Sequence, residues 1–194
     1  MRRTLPTPAL KTILLGGAIL ATITGCTQTA DSPIEVELPK ETSIEAAPGV
    51  EKLAFNALPE VSRTAQDPCP YLDTQWVADT NGQRMTGFGV DNRFETPACV
   101  FWSFPEEPQL TVIVRTMDTE DDAIAVVDWA APIDSTEPAE EPSGWSGGRS
   151  GSTDGSGALY AVQKGNSAVV VFSNQDQSLK AQLVAAEVIK NLAL

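Results

Sequence analysis

Ser146 stands in a nucleophile-elbow pattern for acyl transfer, since Gly144-Trp145-Ser146-Gly147-Gly148 spells Gly-x-Ser-x-Gly. Such a serine needs a general base, and the chain contains no histidine. The surrounding residues are rich in glycine and serine and show no strand-turn-helix pattern, so the match reads as accidental. Lack of histidine also removes the commonest metal ligand, and there is no Gly-x-x-x-x-Gly-Lys phosphate loop. Asp118, Glu120 and Asp122 alternate as the first ligands of a calcium loop do. Ala123 then stands where that loop needs glycine and Trp129 where it needs a bidentate glutamate, so the three acids read as a solvated helix start. Two carboxylates meeting across space can hydrolyse a glycosidic bond without histidine. A histidine-free carboxylate-based hydrolase of glycans therefore stays as the alternative function. No catalytic residue, metal site or cofactor is assigned.

The segment Ala131 to Gly157 is longer than ordinary connections, and loops beyond about 12–15 residues are usually functional or disordered. Within it Trp145 is either an anchor into the domain or an exposed contact, and part of the segment forming another strand is a further reading. Arg149, a rare cation there, suits an anionic ligand or a neighbouring glutamate equally. Trp145 and Arg149 are the candidate contact residues.

The N-terminus carries an address. Arg2, Arg3 and Lys11 precede the uncharged, mostly apolar stretch Ile13 to Thr24, and Ile23-Thr24-Gly25-Cys26 brings small residues up to a cysteine. The apolar stretch is shorter than the roughly 20 residues a membrane-spanning helix needs. Ile23 to Cys26 resembles the lipobox of prolipoproteins, which implies cleavage after Gly25 and diacylation of the Cys26 thiol. Two acyl chains give stable anchoring where one does not. The expectation is a protein lipid-anchored at the extracytoplasmic face of the cell membrane, with residues 1–25 as signal peptide. The pattern leaves general and twin-arginine export equally open.

Residues 1–25 hold three basic and no acidic residues, so their removal deepens the net charge from −13 to −16. Such a surface repels nucleic acid and anionic headgroups. With Cys26 given to lipid, Cys69 and Cys99 remain, and a lone pair outside the cytoplasm usually joins.

Residues 26–66 are expected to be the lipidated N-terminus and an acidic, proline-rich tether. Thr27 to Gly49 lacks aromatic residues and is too polar to offset ordering entropy. Some 40 flexible residues would span about 35 Å. Glu51 to Ser62, with Leu53, Phe55 and Leu58, is left open as a segment that docks on the domain.

A domain over 67–194 is expected to begin at Asp67-Pro68-Cys69-Pro70-Tyr71-Leu72, with Pro70 in a first helical turn. Leu72 and Trp76 share a helical face that stops near Asn81-Gly82. Strands follow at Met85 to Val90, Cys99 to Phe104 and Leu110 to Met117, the last alternating cleanly. Thr119 caps an acidic helix start, continued by Ile124, Val127 and Ala130. Leu159 to Gln163 and Ser167 to Phe172 make a hairpin around Lys164-Gly165-Asn166. Leu179, Leu183, Ala186, Ile189 and Leu192 mark a closing helix capped near Asn174 to Asp176. The expected order is αβββαββα, an α+β fold with an antiparallel sheet of about five strands, helices packed on it and one disulfide.

Cys69-Pro70-Tyr71-Leu72 followed by Pro97-Ala98-Cys99-Val100-Phe101 resembles small uncharacterised lipoproteins of actinobacterial, especially corynebacterial, envelopes, over Asp67 to Leu194. The resemblance implies binding or assembly rather than catalysis, with an envelope protein or small ligand as partner besides the membrane reached through Cys26.

Overall fold

The computed structural model describes residues 52–194. The signal segment, Cys26 and the tether as far as Glu51 lie outside these residues. The elements run α1 (Thr74–Asn81), β1 (Gly87–Asp91), β2 (Thr96–Trp102), β3 (Pro108–Thr116), α2 (Glu120–Ala130), β4 (Glu137–Glu141), β5 (Trp145–Ser150), β6 (Ala158–Lys164), β7 (Ser167–Ser173) and α3 (Ser178–Leu192). All seven strands pair antiparallel in one sheet of order β1-β2-β3-β7-β6-β5-β4. Two meanders thus meet where β3 pairs with β7, and α2 carries the chain from the middle of the sheet to its far edge.

The fold is α+β with one disulfide, but the sheet has seven strands rather than about five. The two extra strands, β4 and β5, form a hairpin inside the segment that reads as a long loop. Their sequences, Glu-Pro-Ala-Glu-Glu and Trp-Ser-Gly-Gly-Arg-Ser, carry no β-branched residue, so period-2 hydropathy is faint. Pairing with the strongly apolar β6 holds them in place instead. Pro138 and the glutamates suit β4 because an edge strand tolerates proline, and like charges discourage further pairing.

Helices cover both faces. On one face α1 and α3 pack with Leu110, Val112, Val114, Val169 and Val171, and on the other α2 packs with Ile113, Ala161, Ala168 and Val170. Central strands apolar on both faces follow from this layering, which explains the unbroken Ala168 to Phe172 run. Asp73 caps α1 by accepting from the Trp76 N–H at 2.8 Å, and Gly82 closes the helix with φ +70°. Pro70 lies before this helix rather than in its first turn. Thr119 caps α2, accepting from the Asp122 N–H at 3.1 Å.

The apolar stripe of α3 is rotated from the expected one. Ala181, Val184, Ala185 and Val188 are buried, while Leu179 and Leu183 are 58% and 48% exposed. Both stripes have helical spacing, and the smaller side chains let the helix sit close on a sheet of valines. Gln177 precedes α3 without a side-chain cap, so the expected cap at Asn174 to Asp176 is absent.

Residues 52–66 run as a strap along the face that α2 occupies, with Leu53 and Ala57 packed into its core. At Gly89 any Cβ would stand 2.6 Å from Val61 Cγ1, so glycine is what lets the strap lie on β1. Arginines hold it from several directions. Arg115 donates to the Leu53 and Ala54 carbonyls at 3.0 and 2.8 Å, and Arg63 donates to the Ser103 and Pro105 carbonyls. Arg93 bridges Asp91 and Glu60 at 2.7 and 2.9 Å. Burial would raise the pKa of Asp91, yet the hydrogen bonds from Arg93 and from the Glu60 N–H outweigh it and hold the carboxyl below its ordinary value.

Candidate functional site

Cross-strand register places Val100 opposite Thr111, Thr111 opposite Phe172, Phe172 opposite Leu159 and Leu159 opposite Ser150. These five residues form one row across β2, β3, β7, β6 and β5, about 19 Å long at the usual strand spacing. The neighbouring row on the same face, Ile113, Val170, Ala161 and Gly148, belongs to the region covered by α2 and its following loop. Helix α2 ends at Ala130, so no helix among the described residues lies over the Val100 to Ser150 row.

A trough results, walled on one side by Trp129 and Ala130 of α2 and on the other by Leu58, Pro59 and Val61 of the strap. Its first part is a cavity of about 630 Å³ lined also by Val100, Trp102 and Phe172, with Thr111 the one polar side chain. Trp129 meets Phe172 edge-on, centroids 6.1 Å apart. A second cavity of about 680 Å³ shares Pro108, Thr111 and Phe172 with the first and continues over Leu159 to Ser150. There the lining turns polar, with Ser156, Ser173 and Asn174, and Glu107 is its one charged side chain. Both volumes fall in the roughly 300–1,000 Å³ range of small-ligand pockets.

The residues singled out by sequence lie elsewhere. Trp145 is 2% exposed, packed in the core of the α3 face, with the Lys164 ammonium 5.8 Å from its ring centre. It is an anchor, so it is not available as an exposed contact. Arg149 stands opposite Glu137 in the β4–β5 register and pairs with it at 3.6 Å. Both residues belong to the sheet face opposite the trough. Ser146 is exposed, second in a hairpin strand rather than at a strand-to-helix elbow. Gly148 follows because a Cβ there would meet Thr136 Oγ1 at 2.6 Å. Asp118 pairs with Lys52, and Glu120 and Asp122 open α2, so the calcium-like acids are spent on ordinary structure. Among the described residues no group of three His, Cys, Asp or Glu side chains is placed to hold a metal.

Cys69 and Cys99 form the disulfide, with their Cα atoms 5.6 Å apart. Cys99 sits inside β2 rather than at its start. Tyr71 next to the bridge donates to the Pro97 carbonyl at 2.8 Å, and burial pushes its phenol pKa up.

Sequence reading missed the trough because it is a product of register. The aromatics Trp102, Trp129 and Phe172 are visible in the chain, but each lies at or one residue from the end of a different element. The usable signal was size: β7 presents Ala168, then Val170, then Phe172 on the α2 face, and only the last is too large to lie under a closely packed helix.

No curated protein matches the chain. Among solved structures, the extracellular domain of PknH from Mycobacterium tuberculosis is similar at 11% identity and a TM-score of 0.31, covering 63% of this chain and 92% of that one. No helix among the described residues is long and apolar enough to cross a membrane. Residues 53–194 match the model of a domain of unknown function, DUF2020, from the strap through α3. The chain therefore belongs to the DUF2020 family.

Proposed function

We propose that this chain is a lipid-anchored, extracytoplasmic lipoprotein of the cell envelope that binds an apolar ligand group in the trough without catalysis. The observation that carries the binding reading is the groove over the partly exposed Thr111, Phe172 and Leu159, walled by Trp129 and closed at one end by the buried Val100 and Trp102. Open apolar surface of this kind is costly to leave in water unless something occupies it. The hydrolase alternative needs two facing carboxylates, and the trough lining contributes one, Glu107.

The address rests on the N-terminal residues and on a disulfide suited to oxidising compartments. Cys26→Ser should abolish lipid labelling and release the protein from the membrane fraction, because two acyl chains supply the anchoring. Labelled, membrane-retained mutant protein would refute the anchor.

Ligand binding is tested with an uncharged naphthylamine dye whose fluorescence rises in apolar surroundings. The wild-type domain should take up the dye, and Thr111→Trp, which fills the trough floor, should abolish uptake. Trp129→Ala, at a half-exposed helix end, should weaken it without unfolding. No uptake by the wild type, or unchanged uptake by both folded variants, would reject the trough as a ligand site.

A further inference from the structure

The two ends of the trough differ chemically, and the difference specifies a ligand. At the Trp102 end every lining side chain except Thr111 is apolar. At the Gly155 end the groove is bordered by Ser150, Ser156, Asn174 and the backbone of Ser173, with two glycines. Thr111 and Ser150 both belong to the floor row, each half-buried, and both line this part of the groove. Among the described residues no lysine or arginine lines either part.

Headgroup chemistry follows from this. Phosphate and carboxylate recognition relies on arginine, lysine or helix N-terminal N–H groups. Here the one charged lining side chain is Glu107, and Asp154 stands on the adjoining loop with its pKa lowered to about 2 by hydrogen bonds from Ser152 and Ser156, so it is ionised. The chain as a whole carries −13. An anionic head is repelled at close range and at long range. The hydroxyls of Thr111, Ser150 and Ser156 and the bare backbone at Gly155 instead offer donors and acceptors to a neutral polyol.

We infer that the trough binds an amphiphile lengthwise, with an alkyl tail between Trp102 and Trp129 and an uncharged, hydroxyl-rich head of sugar type over Ser150 and the Gly155–Gly157 turn. This rests on the apolar-ligand reading above and adds the head and its direction. Thr111 and Phe172, shared by both cavities, mark the junction between tail and head. A floor about 19 Å long accommodates tail and head in sequence rather than side by side.

The test is displacement of the naphthylamine dye by three probes with one tail: dodecyl maltoside, dodecyl phosphocholine and dodecanoate, all below their micelle concentrations. Dodecyl maltoside should displace the dye at concentrations about tenfold lower than the other two, the gain from two or three net hydrogen bonds. Ser150→Val and, separately, Ser156→Val should erode the ratio of maltoside to dodecanoate displacement, taken within each variant, to about threefold or less, consistent with losing about one net hydrogen bond. Equal displacement by all three probes would overturn the headgroup inference and leave the apolar site standing. Preference for phosphocholine or dodecanoate would overturn it too. Failure of the dye to bind at all would reject the apolar reading itself, and concentration-dependent dimers that exclude the dye would assign the trough to a second copy of the chain.

Discussion

Trp145→Ala should cost roughly 3–5 kcal/mol of unfolding free energy, the range for emptying a large buried aromatic site. For a domain of this size each kcal/mol shifts the melting temperature by about 4 °C, so a thermal melt should move down by roughly 10–20 °C. The reason lies in placement. Trp145 opens β5 with its ring in the core beside Tyr160 and Val162, under the α3 helix, and β5 has few other side chains with which to hold the β4–β5 hairpin. Tyr160 reaches into the same hairpin, donating to the Glu141 carboxylate at 2.9 Å, and burial and that carboxylate raise its pKa. Trp145→Phe should cost far less than the alanine change, because the indole Nε1 has no acceptor among the described residues and nothing polar is lost with it. Dye binding in the trough should survive in whatever fraction stays folded, since the trough is on the opposite face. A melt unmoved by Trp145→Ala would reject the anchoring role.

Trp145 also shows which parts of this fold a sequence can carry. Thr119 with its three acids, Asn81-Gly82, and the Lys164-Gly165-Asn166 turn were legible because each acts within a few residues of itself, through a cap, a stop or a tight turn. Strands β3 and β7 were legible because β-branched residues are dense in them. The β4–β5 hairpin was not, because serine, glycine and glutamate give no hydropathy rhythm, and its pairing is dictated by a partner strand. The stripe of α3 was misplaced for a related reason: two helical faces competed, and the larger leucines outscored the alanines and valines that a sheet admits more closely. Strap residues such as Leu53 and Val61 sit in a polar, proline-containing stretch whose docking depends on Arg115, 62 residues from Leu53, and on Gly89, 28 residues from Val61. The trough compounds all of these, since it exists only once β2, β3, β7, β6 and β5 are in register and α2 ends where it does.

Removing the disulfide with Cys69→Ala and Cys99→Ala should lower stability by roughly 2–5 kcal/mol. The bridge spans a sequence separation of 30 and encloses α1 and β1. On the loop-entropy model a loop of that length restricts the unfolded chain by roughly 3–4 kcal/mol. Native packing gives little insurance here. Helix α1 has eight residues, below the roughly 12–15 at which an isolated helix becomes even marginally stable, and it is held by Val77 in the core and by Asn81 donating to Gln109 at 2.9 Å. Denaturant unfolding of the double mutant beside the oxidised wild type should show the lower midpoint, and reduced wild type should fall close to the mutant. Cys99 faces the α3 side while its neighbour Val100 floors the trough, so the folded mutant should bind the naphthylamine dye as the wild type does. Both thiols alkylating readily in native exported protein, or a mutant as stable as the wild type, would remove the bridge from the account of what holds α1 and β1 to the sheet.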